Sequence, residues 1–301
     1  MRRPNFFIVG APKCGTTAMN HYLGQHPEIF MCPKKETHHF VVDLPGHLDP
    51  RFETRSDYLG LFADARHESV VGEASVFYLY SRSAARLIRE FEPKAKILAM
   101  FRNPVDWVAS YHSQLLYNAD ENINSLEEAL HAQNDRGLGL CLPPRLKTPH
   151  VLLYDVVCRF AEQLVRYLEA FGGDHVEVVL FDDLRDSPAL TYRRVLEFLE
   201  VHPEFCPRMD VVNPRKEFLS TSFGRLVSKP PEYLRRAVRS VLPWSVASRI
   251  RDLLLRLNRR TKPLAPIDAG MRRALVNRYR EQVESLANLI ERDLSVWLDV
   301  T

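Results

Sequence analysis

The sequence predicts an α/β fold, a three-layer sandwich in which a central parallel sheet is flanked by helices. Three observations predict it. Apolar runs of strand length recur at 6–10, 70–72, 97–101 and 176–181. Stretches of helical periodicity lie between or after them, at 82–91, 104–117, 155–171 and 188–199. Strands alternating with helices make parallel sheets covered on both faces. Finally, Asn103-Pro104 and Ser187-Pro188 each place a capping residue before a proline at the first helical position.

In chain order, FFIVG at 6–10 is a strand ending in Gly10, 11–17 a loop, and the stretch to Gln25 a helix. Gly172-Gly173 ends the long helix expected from Asp155, and Asp268 caps a final helical pattern running to Trp297. Residues 118–150 carry Gly137, Gly139 and Pro143-Pro144 and read as a helix plus an irregular loop. No internal repeat or Gly/Ser linker divides the chain, so a single domain over 1–301 is expected, with 118–150 and 225–262 as additions on the acceptor side or as a lid.

The 301 residues carry 41 Lys and Arg against 38 Asp and Glu, with 46% hydrophobic residues. This is the composition of a globular chain with a sizeable core, which excludes disorder, collagen and coiled coil as descriptions of the whole. Its near neutrality gives no expectation of a nucleic-acid partner. Segment 225–262 departs from that balance, with eleven Lys and Arg against only Glu232 and Asp252. It is either a solvated face of amphipathic helices or a contact for an anionic substrate or membrane surface; oligomeric state is not legible. The five widely spaced cysteines contain no CxxC and indicate neither a disulfide framework nor a zinc site. Five residues before the apolar run at 6–9 fall short of the pattern of a signal peptide, and a cytoplasmic location is the default expectation.

The loop Gly10-Ala-Pro-Lys13-Cys14-Gly15-Thr16-Thr17 sits between strand and helix. There, main-chain amides and the positive end of the helix hold a phosphate. An ATP-binding loop of the form GxxxxGK[ST] would place lysine directly after the second glycine. Here Thr16 holds that place and Lys13 lies inside the loop.

At these residues the chain resembles sulfotransferases that use 3′-phosphoadenosine 5′-phosphosulfate (PAPS), most closely the heparan-sulfate-like and bacterial branch. FFIVGAPKCGTTAMNHYLGQHPEIF is similar to that family's 5′-phosphosulfate loop and helix. Phe101-Arg102-Asn103-Pro104, with Ser110 eight residues after Arg102, resembles its 3′-phosphate motif, and IERDLSVWL near the end is also similar. The resemblance implies a P-loop-like fold and PAPS as co-substrate. It also implies a small-molecule, lipid or glycan acceptor sulfated on a hydroxyl or amine, and no metal. Lys13 would offset charge on the leaving phosphate, while Cys14, Gly15, Thr16 and Thr17 hold its oxygens. Arg102 and Ser110 would hold the 3′-phosphate, where a guanidinium fork suits a phosphate dianion.

Transfer of a sulfuryl group needs a base on the incoming side. Lys34-Lys35-Glu36-Thr37-His38-His39-Phe40 resembles the KExHFF-like stretch of heparan sulfate sulfotransferases, which makes Glu36 the base and His38 its partner. Glu73, in Gly72-Glu73-Ala74-Ser75-Val76, is a second catalytic carboxylate, the alternative to Glu36 as base, either placing substrate with Ser75 and Tyr78 or capping its strand. Arg215 and Lys216 fall where sulfotransferases have a basic loop returning to the 3′-phosphate, or else form an exposed loop. Competing readings are a P-loop kinase and a non-catalytic nucleotide-binding scaffold.

Overall fold

A computed structural model describes residues 2–144, 146–210 and 267–300, the strands Lys216–Phe218 and Arg259–Thr261, and the single positions 227, 246, 250, 253 and 254. Five parallel strands form the central sheet: β1 Phe6–Gly10, β2 Ile29–Met31, β3 Val70–Ala74, β4 Lys96–Phe101 and β5 Val176–Leu180. Their order is β2-β3-β1-β4-β5. The chain steps from β1 outward to β2, returns through β3 and crosses to β4, so β1 is where the winding reverses. Ligands of open α/β sheets bind at that point, beyond the carboxyl ends of the strands. Every residue of β1 and β3 is buried, as expected of strands covered on both faces.

Helices α1 (Thr16–Leu23), α2 (Arg55–Gly60), α3 (Ala84–Phe91), α4 (Pro104–Asn118), α5 (Leu126–His131), α6 (Gln133–Gly137), α7 (Tyr154–Val157), α8 (Phe160–Phe171), α9 (Phe181–Asp186) and α10 (Pro188–Leu199) follow in order. The last, α11, spans Ala269–Leu289. Asn103 and Asp268 cap α4 and α11 through their side chains. Ser187 precedes α10 without a side-chain hydrogen bond to it.

Three departures from the expected elements have physical causes. The short β2 is too brief for its apolar pattern to announce it. The helix expected over 155–171 breaks between α7 and α8, where the buried Gln163 side chain donates to the carbonyls of Val156 and Val157 at 3.1 and 3.0 Å and so satisfies the interrupted turn. The final helix stops well short of Trp297 because Glu291 adopts φ 53° and the Arg292 amide closes back on the Ala287 carbonyl at 3.0 Å. This is a Schellman ending with glutamate where glycine is usual.

Segment 118–150 is braced internally by an ion pair with both side chains fully buried, and Tyr154 of α7 joins that pair from outside the segment. Arg136 forks onto Glu121 at 2.6 and 2.7 Å, and the Tyr154 hydroxyl donates to the same carboxylate at 2.8 Å. Arg215 and most of 225–262 lie outside the described residues. Lys216 begins β6 (Lys216–Phe218), which pairs antiparallel with β7 (Arg259–Thr261) and comes close to α4. No described helix is long and apolar enough to cross a membrane.

Candidate active site

A cavity of about 800 Å³ lies across the carboxyl ends of the sheet. Each strand delivers lining residues just after it ends: Pro12, Lys13 and Gly15 to Ala18 after β1, Lys35, Glu36 and His38 after β2, Val76 and Phe77 after β3, Arg102 after β4, and Phe181, Leu184 and Arg185 after β5. Helix α4 adds Ser110, Tyr111 and Gln114, and segment 118–150 adds Asn118, Asp120 and Thr148.

At one end, the β1–α1 turn is shaped by two glycines in the left-handed region. Gly10 has φ 153° and a Cβ there would stand 2.7 Å from the Val76 carbonyl; Gly15 has φ 89° and a Cβ would stand 2.9 Å from Leu184. Gly15 caps α1 without any side-chain hydrogen bond to the helix. The first-turn amides, which have no intrahelical partner, therefore face the cavity uncapped. Trp107 Nε1 donates to the Pro12 carbonyl at 2.8 Å and fixes the turn from α4. Cys14 turns its fully buried side chain into the core, where burial pushes the thiol pKa up. What it offers a ligand is its main chain. Lys13 Nζ donates to Gln114 Oε1 at 3.0 Å. The Arg102 guanidinium carbon sits 4.5 Å from the Phe181 ring centroid, a cation–π contact that orients the fork.

At the other end, Glu36 and His38 both have positive φ, 62° and 53°. Non-glycine residues hold such angles only where surrounding contacts fix them. The fixing contacts come from the end of β3. The Glu36 amide donates to the Ala74 carbonyl at 2.9 Å, Glu36 Oε2 accepts the Val76 amide at 2.9 Å, and the His38 amide donates to Ser75 Oγ at 3.1 Å. His38 Nε2 lies 3.2 Å from Glu36 Oε2, close enough for an ion pair but without hydrogen-bond alignment. Lys35 Nζ contacts Glu36 Oε1. Burial would push the Glu36 carboxyl up, but Lys35 and His38 outweigh it and hold the pKa at about 2.

Glu73 corrects the expectation of a second carboxylate facing substrate. It is fully buried beneath the loop and does not line the cavity. Thr37, Ser75, Tyr58 and Tyr78 donate to it at 2.7, 2.6, 2.8 and 2.9 Å, which fills the lone-pair directions of a carboxylate. Thr37 lies between Glu36 and His38, so this cluster holds the loop that carries them. Ser75 and Tyr78 are equally buried and serve the same cluster. His39 faces away, stacked on Tyr58 at 4.1 Å with its Nδ1 2.7 Å from the Phe52 carbonyl.

The structure brings Lys13, Gly15, Thr16, Thr17, Arg102, Ser110, Glu36 and His38 to one cavity. The side chains of Arg215 and Lys216 lie outside the described residues. Sequence reasoning passed over Gln114, which is one turn beyond Ser110 on α4. It also passed over His47 and Phe77, whose rings pack at 4.3 Å, and Lys35, adjacent to Glu36, was expected only as a pairing partner on an exposed loop. Lys35 and Gln114 were within reach of helical spacing and adjacency; no sequence signal pointed to His47.

Residues 3–216 match the sulfotransferase domain family, and the chain belongs to that family. A crystal structure of a sulfotransferase from Alicyclobacillus acidocaldarius superposes with a TM-score of 0.72 at 30% identity, covering 99% of this chain and 100% of that one. Carbohydrate sulfotransferase 15 of Rattus norvegicus is 26% identical over 248 residues, 66% of this chain and 44% of the relative. A bifunctional heparan sulfate N-deacetylase/N-sulfotransferase 1 of Caenorhabditis briggsae is 23% identical over 257 residues, 77% of this chain and 28% of the relative. The chain thus spans less than half the length of these two relatives.

Proposed function

We propose that this protein transfers the sulfuryl group of PAPS to a hydroxyl of a small-molecule or glycan acceptor. The observation that carries this reading is the single cavity that joins the uncapped α1 amides, Lys13 and Arg102 to a carboxylate, Glu36, held by its neighbours in a constrained conformation. The amides of the β1–α1 turn and Lys13 suit the 5′-phosphate and the charge that grows on it as the sulfuryl group departs. Arg102 and Ser110 suit the 3′-phosphate. Glu36 takes the acceptor proton, and His38 beside it orients the carboxylate.

The names of the relatives, a carbohydrate sulfotransferase and a heparan sulfate N-sulfotransferase, support a sugar-like acceptor. A kinase reading is disfavoured by Thr16, which stands where a P-loop lysine would reach the β- and γ-phosphates. The test is to incubate the protein with PAPS and a panel of hydroxylated sugars and small alcohols, then weigh the products. Acceptor gaining one sulfuryl group in step with release of 3′-phosphoadenosine 5′-phosphate (PAP), lost in Lys13→Ala, supports the proposal. Phosphorylated product from ATP would refute it.

A further inference from the structure

Both oxygens of Glu36 are engaged. Oε2 accepts the Val76 amide at 2.9 Å and faces His38 Nε2 at 3.2 Å; Oε1 is covered by the Lys35 ammonium. The contacts on Oε2 are part of the framework that fixes the loop. A proton taken from an acceptor therefore has Oε1 as its place, and Lys35 stands on it. Lys35 is the movable member of the group: its side chain is 21% exposed and lines the cavity, and a lysine reaches on a flexible stem with three donors.

Resting on the reading of the site as a PAPS-dependent sulfotransferase, we propose that Lys35 is an exchangeable cover on the base. It occupies Glu36 Oε1 without donor and passes to the sulfuryl oxygens when the donor binds. The exchange opens Oε1 to the acceptor and places a cation against the group in flight. In the transfer the acceptor O–H bond breaks and its proton goes to Oε1 while the acceptor oxygen bonds to sulfur. The bond from sulfur to the 5′-phosphate oxygen breaks, leaving its electron pair on PAP. A carboxylate whose pKa is held at about 2 is a poor proton acceptor, and losing Lys35 returns it towards the range in which carboxylates work as bases. The base is thus weak until the donor is in place. The other ionisable groups facing Glu36 are His38 on its own loop and His47 from the segment that follows; Lys13 and Arg102 line the same cavity from β1 and β4.

The test compares PAPS with PAP, which lacks the sulfuryl group, on unmodified protein labelled with ¹³C at glutamate side-chain carboxyls. The Glu36 signal is assigned from its absence in Glu36→Gln. As pH falls through the ordinary carboxylate range, about 4, Glu36 should stay ionised in the free and PAP-bound protein. It should titrate within that range in the PAPS-bound protein, a shift of about one pH unit or more, tenfold in proton affinity. In Lys35→Met, Glu36 should titrate there in every state. If calorimetry shows both nucleotides binding and the Glu36 signal behaves alike with each, the exchange does not occur. If neither binds, it is the donor assignment that fails.

Discussion

The two ends of the cavity are built from different materials. At the Lys13 end the surface is largely main chain: a turn set by Gly10 and Gly15, then the open amides of α1, with Lys13 and Arg102 as the charged side chains. At the Glu36 end the charged side chains of Lys35 and Glu36 line it with His38, and the loop is held in a left-handed conformation by a buried cluster around Glu73. Backbone amides offer the same donors whatever the side chain, so the first end suits a constant ligand. The second suits chemistry, where one charge in one place decides the outcome. Glu36 and Glu73 make the contrast sharpest. Glu36 meets the Lys35 ammonium and the cavity, while Glu73 receives four hydroxyl donors and no access to solvent.

The largest expected effect is at the Glu36 end. Glu36→Gln keeps the size and part of the hydrogen bonding but removes the proton acceptor, so transfer should fall about 10²–10⁴-fold with donor affinity not weakened. Steady-state rates beside donor calorimetry check this; equal losses in both would erase the division between the ends. At the Lys13 end, Arg102→Ala should weaken donor binding by on the order of 1.5–3 kcal/mol and leave turnover at saturation nearly unchanged, because that contact is remote from sulfur. Donor affinity that survives this substitution would remove Arg102 from the site.

Glu73→Gln is expected to act through the fold. It puts an amide donor against hydroxyl donors in a sealed space, at a cost of about 1–3 kcal/mol in stability. Denaturant melts should show the loss; Glu36→Gln, which gives up its pairing with Lys35, should also lose some stability at neutral pH, so transfer measured on the folded protein separates the two. A destabilised Glu36→Gln beside an unaffected Glu73→Gln would invert the two roles.

A further effect is one of pH. Burial lowers the pKa of His47 to about 3 and of His150 to about 4, and the rings pack at 4.7 Å. The unfolded chain takes up protons from pH 6.5 downward while the folded protein refuses them, so stability should decline from pH 6.5 towards 4. Glu36, lowered from 4.5 to about 2, adds its own loss only below pH 4.5. Thermal melts of His150→Phe should show a shallower decline across the upper part of that window.

The same contrast governs what the sequence reveals. A strand, a glycine turn and an open helix end leave a contiguous pattern that marks Lys13 and Gly15, while Arg102 was found by resemblance. Helix starts were equally legible at Asn103 and Asp268. The ends after Asn118 and Leu199 fell within a residue of expectation, whereas the end of the last helix did not, because Glu291 takes the positive φ that glycine usually signals. At the Glu36 end, Glu36 and His38 were found by resemblance. The burial of Glu73 depends on hydroxyls from Thr37, Tyr58 and Tyr78, which are distant in sequence. Its charge suggested chemistry, whereas its surroundings give it the job of holding the loop.

The most direct measurement is calorimetry of PAP binding without Mg²⁺, on the unmodified protein and on Glu36→Gln. The structure predicts binding to both, with affinity not weakened in Glu36→Gln. At about 100 times the dissociation constant, PAP should also add roughly 2.7 kcal/mol of stability. Binding of ATP that requires Mg²⁺, with none of PAP, would contradict the assignment of this cavity to sulfuryl transfer.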